Sequence, residues 1–84
     1  MTEQEVGKIF SYYSKIGVAA IELIGELKVG DTIRIKGSTT DFTQKISSMQ
    51  IEHEKVKEAG AGDSVGMKVN EKVRPNDIVY KVIE

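Results

Sequence analysis

His53 is the single histidine of the chain and stands between Glu52 and Glu54. A metal centre needs several convergent ligands, and nucleophilic catalysis needs a base hydrogen-bonded to a nucleophile. One histidine between two carboxylates supplies neither by its spacing, so a solvated strand residue is the favoured reading. Gly60-Ala61-Gly62 is too short for a phosphate-binding loop and lacks the lysine that would follow it, which leaves a turn between strands. The serines and threonines have no base placed beside them by sequence and read as β-surface and turn residues. Cysteine is absent, which removes disulfides, thiolate catalysis, cysteine-ligated zinc and iron–sulfur chemistry together. The expectation is no catalytic residue, no metal, no cofactor, and no enzyme activity in the chain by itself.

Recognition is the remaining chemistry. Arg34, Lys36 and Lys45, with Lys68 if registers allow, could form a basic strip beside Phe42. Phosphate contacts plus a stacking ring are how single-stranded RNA is held, although a solvated charged face is the blander reading of each residue. Tyr12, Tyr13 and Tyr80 read more readily as core-edge packing than as base platforms. The 12 basic and 13 acidic residues give a net charge of −1 and are interleaved, so the whole-molecule field draws no phosphate backbone.

These residues must be carried by short strands. Eighty-four residues allow one core, with apolar residues at 39% and aromatics at 6%, so that core is built from Ile, Val, Leu and Met. Val6 to Tyr12 reads as a first strand with Val6, Lys8 and Phe10 on one side and Gly7 and Ile9 on the other. Val18 to Leu23 is a second, too closely bounded by Gly17 and Gly25 for a helix. Thr32 to Lys36 alternates cleanly, Ile33 and Ile35 inward, Arg34 and Lys36 outward. Gly37 to Asp41 reads as a polar loop and Phe42 to Glu54 as one long strand with a bulge or bend near Ser47-Ser48, where the apolar spacing changes from three to two. Ile51 to Ala59 reads as strand then loop, although its Glu52/Lys55 and His53/Lys57 spacings would also suit a surface helix. Ser64 to Val69 and Ile78 to Ile83 complete the series, the latter after a turn at Arg74-Pro75-Asn76-Asp77.

Six short strands separated by turn signals predict an all-β fold, a closed six-stranded antiparallel barrel forming a single domain over 1–84, since closure removes edges that a chain this short cannot cover. Gly30 and Gly62 are expected to supply turn backbone angles, and Asp31 and Asp63 to cap those turns. The acidic, polar start Met1-Thr2-Glu3-Gln4-Glu5 and the short apolar runs predict a cytoplasmic protein without a membrane segment.

Gly7-Lys8-Ile9, Gly17-Val18-Ala19, Leu27 to Ile33 with its Val29-Gly30-Asp31 turn, Met49-Gln50-Ile51 and Ala61-Gly62-Asp63-Ser64-Val65-Gly66, in this order, resemble the β-barrel second domain of elongation factor Tu and initiation factor two. The resemblance is nearest to small elongation-factor-like proteins that carry the barrel without the GTPase. It implies a Greek-key barrel that binds no GTP. Where the elongation factor places an acid and an aromatic against the aminoacyl end of tRNA, the matching positions are Gln50 and Glu52, and a carboxylate there repels a nucleic-acid end. The resulting expectation is an accessory module touching RNA, the ribosome or a ribosome-associated protein through Arg34, Lys36, Thr39, Thr40, Asp41, Phe42, Gln44 and Lys45. The alternative is an interaction subunit docking on a separate, larger enzyme.

Overall fold

Alternation of β-branched and polar residues lets a pleated strand bury one face, and it organises the whole chain. The structure, a computed structural model, describes residues 2–83. In chain order the strands are β1 (Thr2–Tyr13), β2 (Val18–Leu23), β3 (Leu27–Lys28), β4 (Thr32–Lys36), β5 (Asp41–Lys45), β6 (Met49–Ile51), β7 (Glu54–Val56), β8 (Glu58–Ala59), β9 (Ser64–Lys68) and β10 (Ile78–Ile83). There is no helix among the described residues. Eight strands form one sheet in the order β5-β4-β10-β1-β2-β9-β6-β7, and β3 pairs with β8 alone.

The all-β class expected from the sequence is therefore found, but the closed six-stranded barrel is not. The sheet keeps two edges, β5 and β7, and the strands among the described residues number ten. Much of the difference lies in the segment expected to be one long strand from Phe42 to Glu54. The chain leaves β5 after Lys45 and crosses at Ile46, whose N–H donates to the Asp31 carbonyl and whose carbonyl accepts from the Gly30 N–H, both at 2.9 Å. It resumes at Met49 beside β9. The apolar spacing of three from Ile46 to Met49 marks a change of partner strand, not a bulge. Ile51 to Ala59 becomes neither helix nor simple loop: β6 and β7 form a hairpin closed by Glu52-His53, and Glu58-Ala59 pairs with β3. One side chain links the edge strand β5 to the end of β9. Gln44, buried, donates from Nε2 to the Lys68 carbonyl (3.0 Å) and accepts the Asn70 N–H on Oε1 (2.7 Å).

Two register shifts reorganise β1. Pairing with β10 slips between Glu5 and Gly7, and pairing with β2 slips between Ile9 and Ser11. An extra residue in a strand reverses the faces beyond it, so Val6 and Ile9 both reach the core while Lys8 and Phe10 face outward. This corrects the grouping of Phe10 with Val6. The bulged Val6 carbonyl is not left unpaired, because it accepts the N–H groups of Ile24 (2.8 Å) and Gly25 (3.2 Å).

Three turns share one construction. In Lys28–Asp31, Gly60–Asp63 and Arg74–Asp77 the third residue has positive φ (Gly30 97°, Gly62 91°, Asn76 78°). The aspartate N–H then donates to the carbonyl of the first residue, while its Oδ2 accepts that residue's N–H at 3.1, 3.0 and 2.9 Å. A left-handed third position suits Gly and Asn, and a short carboxylate closes the turn on its own backbone. The core between these turns is aliphatic: Ile9, Ile21, Ile33, Ile35 and Val79 are wholly enclosed, with Tyr12 and Phe42 packed only partly against them. Each such aliphatic side chain stabilises the fold by about 1.5–3 kcal/mol.

Candidate functional site

The residues expected to form a basic binding strip are divided by the fold. Arg34 projects from β4 towards β5, where register sets it opposite Thr43. Its Nε and Nη2 each donate to one oxygen of Asp41 at 2.8 Å, and its Nη1 donates to Glu3 Oε2 at 2.9 Å. A two-pronged guanidinium–carboxylate pair uses the donors that would otherwise meet a phosphate, and Glu3, Arg34 and Asp41 together carry a net negative charge. Lys36, Thr39 and Lys45 are exposed, whereas Thr40 and Gln44 are buried and Phe42 half-buried against the core. Lys68 lies on β9, away from β4 in the strand order.

The Arg34 guanidinium is held well above its ordinary value, first by its hydrogen bond to Asp41 and then by that to Glu3. Asp41 is correspondingly pushed below the usual carboxylate range, first by the hydrogen bond from Arg34. A carboxyl with a depressed folded-state pKa adds stability above its unfolded value and loses it as pH falls through the folded one. Wild type and Asp41→Asn should therefore differ in melting temperature by a steady amount near neutrality and converge at pH values below the ordinary aspartate range. Both groups are solvent-exposed, so salt should shrink the difference. Melts across pH check this; a difference that persists in acid contradicts it.

The surface also carries concavities. A cleft of about 340 Å³ lies between the β3–β8 pair and β10, where Lys81 Nζ stands 3.6 Å from Asp31 Oδ2 and Glu26 and Glu58 contribute further carboxylates. Its central aspartate is already engaged by Lys81 and by the Lys28 N–H. The second is a groove of about 250 Å³ on the outer wall of the sheet. Its floor is made of small residues on β2 and β9, among them Ala20 and Gly66, which face each other in register. One wall is apolar: Phe10, turned outward by the β1 bulge, Tyr13, and Ile16 in the following turn are 50%, 51% and 65% exposed. The other wall is the tip of the β6–β7 hairpin, with Gln50, Glu52 and His53. Ser64 also lines it, but no hydrogen bond joins Ser64, His53 and Glu52 among the described residues, as a nucleophile and its base require.

The sequence points to one wall of this groove, through Gln50 and Glu52, and misses the apolar wall opposite. Strict alternation groups Phe10 with Val6 and Lys8 on one side and leaves Tyr13 to core-edge packing, and in doing so it hides the bulge. The available signal is three large apolar residues spaced by three, at 10, 13 and 16, a rhythm that fits neither face of an uninterrupted strand.

Comparison with known proteins bears on what this arrangement serves. Elongation factor Tu domain 2 matches residues 23–80. A Methanocaldococcus jannaschii protein described as an uncharacterized protease is 46% identical over 81 residues, which is 95% of this chain and 20% of that protein. A Porphyromonas gingivalis protein described as a collagenase is 42% identical over 78 residues, 90% of this chain and 22% of that protein. The chain thus spans about a fifth of the length of these relatives. Among solved structures, the C-terminal domain of a Geobacillus thermoleovorans protein described as a U32 peptidase superposes with a TM-score of 0.89 at 22% identity, covering 95% of this chain and 93% of that one. These relatives overturn the expectation of a translation-factor accessory module: the similar sequences lie in proteins described as proteases, and none of these relatives is a translation factor. The nearness to elongation-factor-like proteins is corrected in the same way, while the barrel-domain resemblance itself stands, and the chain belongs to the elongation factor Tu domain 2 family.

Proposed function

We propose that the chain is a non-catalytic interaction domain that docks on the catalytic body of a peptidase-type enzyme. The observation that carries this reading is the 46% identity across 95% of the chain to one fifth of a protein described as a protease. The rest of such a protein is large enough to hold a separate catalytic body, which this domain would orient or extend. The surface supports the same reading, because Phe10, Tyr13 and Ile16 expose apolar area on one face, and such patches mark contact sites more often than chance exposure does. The Arg34 face is less suited to nucleic acid with its guanidinium already bound by two carboxylates.

Affinity capture with the tagged chain from its own cells, after nuclease treatment, tests the proposal. The expected product is a chain of the peptidase type named among the relatives. Recovery of ribosomal particles or protected RNA, with no peptidase-type chain, would overturn it.

A further inference from the structure

The geometry points to the Phe10–Glu52 groove as the docking surface, and to an occupant that sets an aliphatic or aromatic side chain beside a lysine or arginine on the catalytic body. This rests on the docking reading above and specifies its contact. Four observations carry it. The groove holds about 250 Å³, below the range of pockets that enclose a small-molecule ligand and suited to inserted side chains. Its apolar wall is aromatic and half-exposed, and rings of that kind are the usual anchors of protein interfaces.

The third observation is charge. Among the described residues Glu52 is the single carboxylate lining the groove and no lysine or arginine lines it, so a cation adjacent to the inserted apolar group finds a partner at the rim. A second copy of this chain is a poorer occupant, since two-fold pairing of the groove with itself would bring two Glu52 carboxylates into one interface.

The fourth is strain. Glu52 and His53 form the two-residue loop of the β6–β7 hairpin with φ of 50° and 68°. A loop with both central residues left-handed favours Asn-Gly, and side chains with a Cβ are disfavoured there. Such outliers gather where a surface has work beyond folding. Glu52 and His53 are placed at the groove rim in a conformation that other residues would hold at lower cost.

Stability and docking should therefore separate. Glu52→Asn/His53→Gly is expected to raise the melting temperature by about 4 °C or more while lowering capture of the peptidase-type chain several-fold. Glu52→Lys, which keeps the left-handed backbone of an exposed residue, should fold normally and lower capture at least tenfold. A photo-crosslinking p-benzoylphenylalanine in place of Ile16 should label the peptidase-type chain at a segment carrying an apolar residue next to Lys or Arg. The same probe in place of Ile24, which is 60% exposed and outside the groove, should not. If capture succeeds but the Ile24 probe labels the partner and the Ile16 probe does not, the groove is wrong and the docking reading survives. Unchanged capture by Glu52→Lys, or labelling of a second copy from Ile16, also overturns the groove. If wild type captures no peptidase-type chain by either method, the docking reading itself fails.

Discussion

Gly37→Ala is expected to lower the melting temperature by roughly 15 °C, the effect of about 3 kcal/mol on a chain of this length. Gly37 follows β4 in the turn that its N–H closes on the Thr40 carbonyl at 2.7 Å. Its φ is not in the left-handed region, so the need for glycine is one of space. An added Cβ would overlap Asp77 Oδ1 and lie 2.6 Å from its Cγ. Asp77 cannot swing aside cheaply, since it is buried and its Oδ2 holds the Arg74 N–H at 2.9 Å. Asp77→Ala should cost about 1–2 kcal/mol by releasing that bond, but it also removes the atoms that the methyl group introduced at Gly37 would strike. The double variant Gly37→Ala/Asp77→Ala should accordingly be no less stable than Asp77→Ala alone, a coupling measurable in a thermodynamic cycle. Simple additivity of the two losses in urea melts would refute the steric account.

The second large effect is expected at Gln44. Gln44→Leu keeps the volume and deletes the hydrogen bonds of the amide, leaving the Lys68 carbonyl and the Asn70 N–H without the partner they have at 3.0 and 2.7 Å. Unpaired backbone groups of this kind cost about 1–3 kcal/mol each, so the loss should be about 2–6 kcal/mol. Gln44→Glu should fall between, because an acceptor remains for Asn70 while a carboxylate oxygen now faces a carbonyl. Amide exchange gives the local readout: Asn70 should lose protection in Gln44→Leu more than the central β1–β2 amides do. Equal loss at both places would mean that Gln44 contributes only to global stability and does not hold β5 to the end of β9.

The contrast between local and distant partners explains what could be read in advance. In Thr32–Lys36 every second residue is apolar, and Ile33 and Ile35 are fully buried; the information lies within five residues, and the pleat turns it directly into two faces. The glycine–aspartate turns are equally local, four residues containing every atom that makes them. Gln44 looks like a surface residue of a polar segment, and its burial follows from carbonyl and amide groups at positions 68 and 70, brought near by a different limb of the sheet. Arg34 likewise looks like a free cation in sequence until β5 carries Asp41, and β1 carries Glu3, to its guanidinium at 2.8 and 2.9 Å.

The groove follows the same division. Its apolar wall needs a one-residue slip at Phe10, and slips are set by competition between the two neighbours of β1, not by the residues of β1 alone. Composition and alternation were sufficient to determine an all-β chain with an aliphatic core, because those properties depend on neighbours one and two residues away. Strand partners, the open sheet, the engaged guanidinium and the exposed aromatic wall were decided only by tertiary structure, since each depends on which distant backbone edge offers hydrogen bonds at a given position.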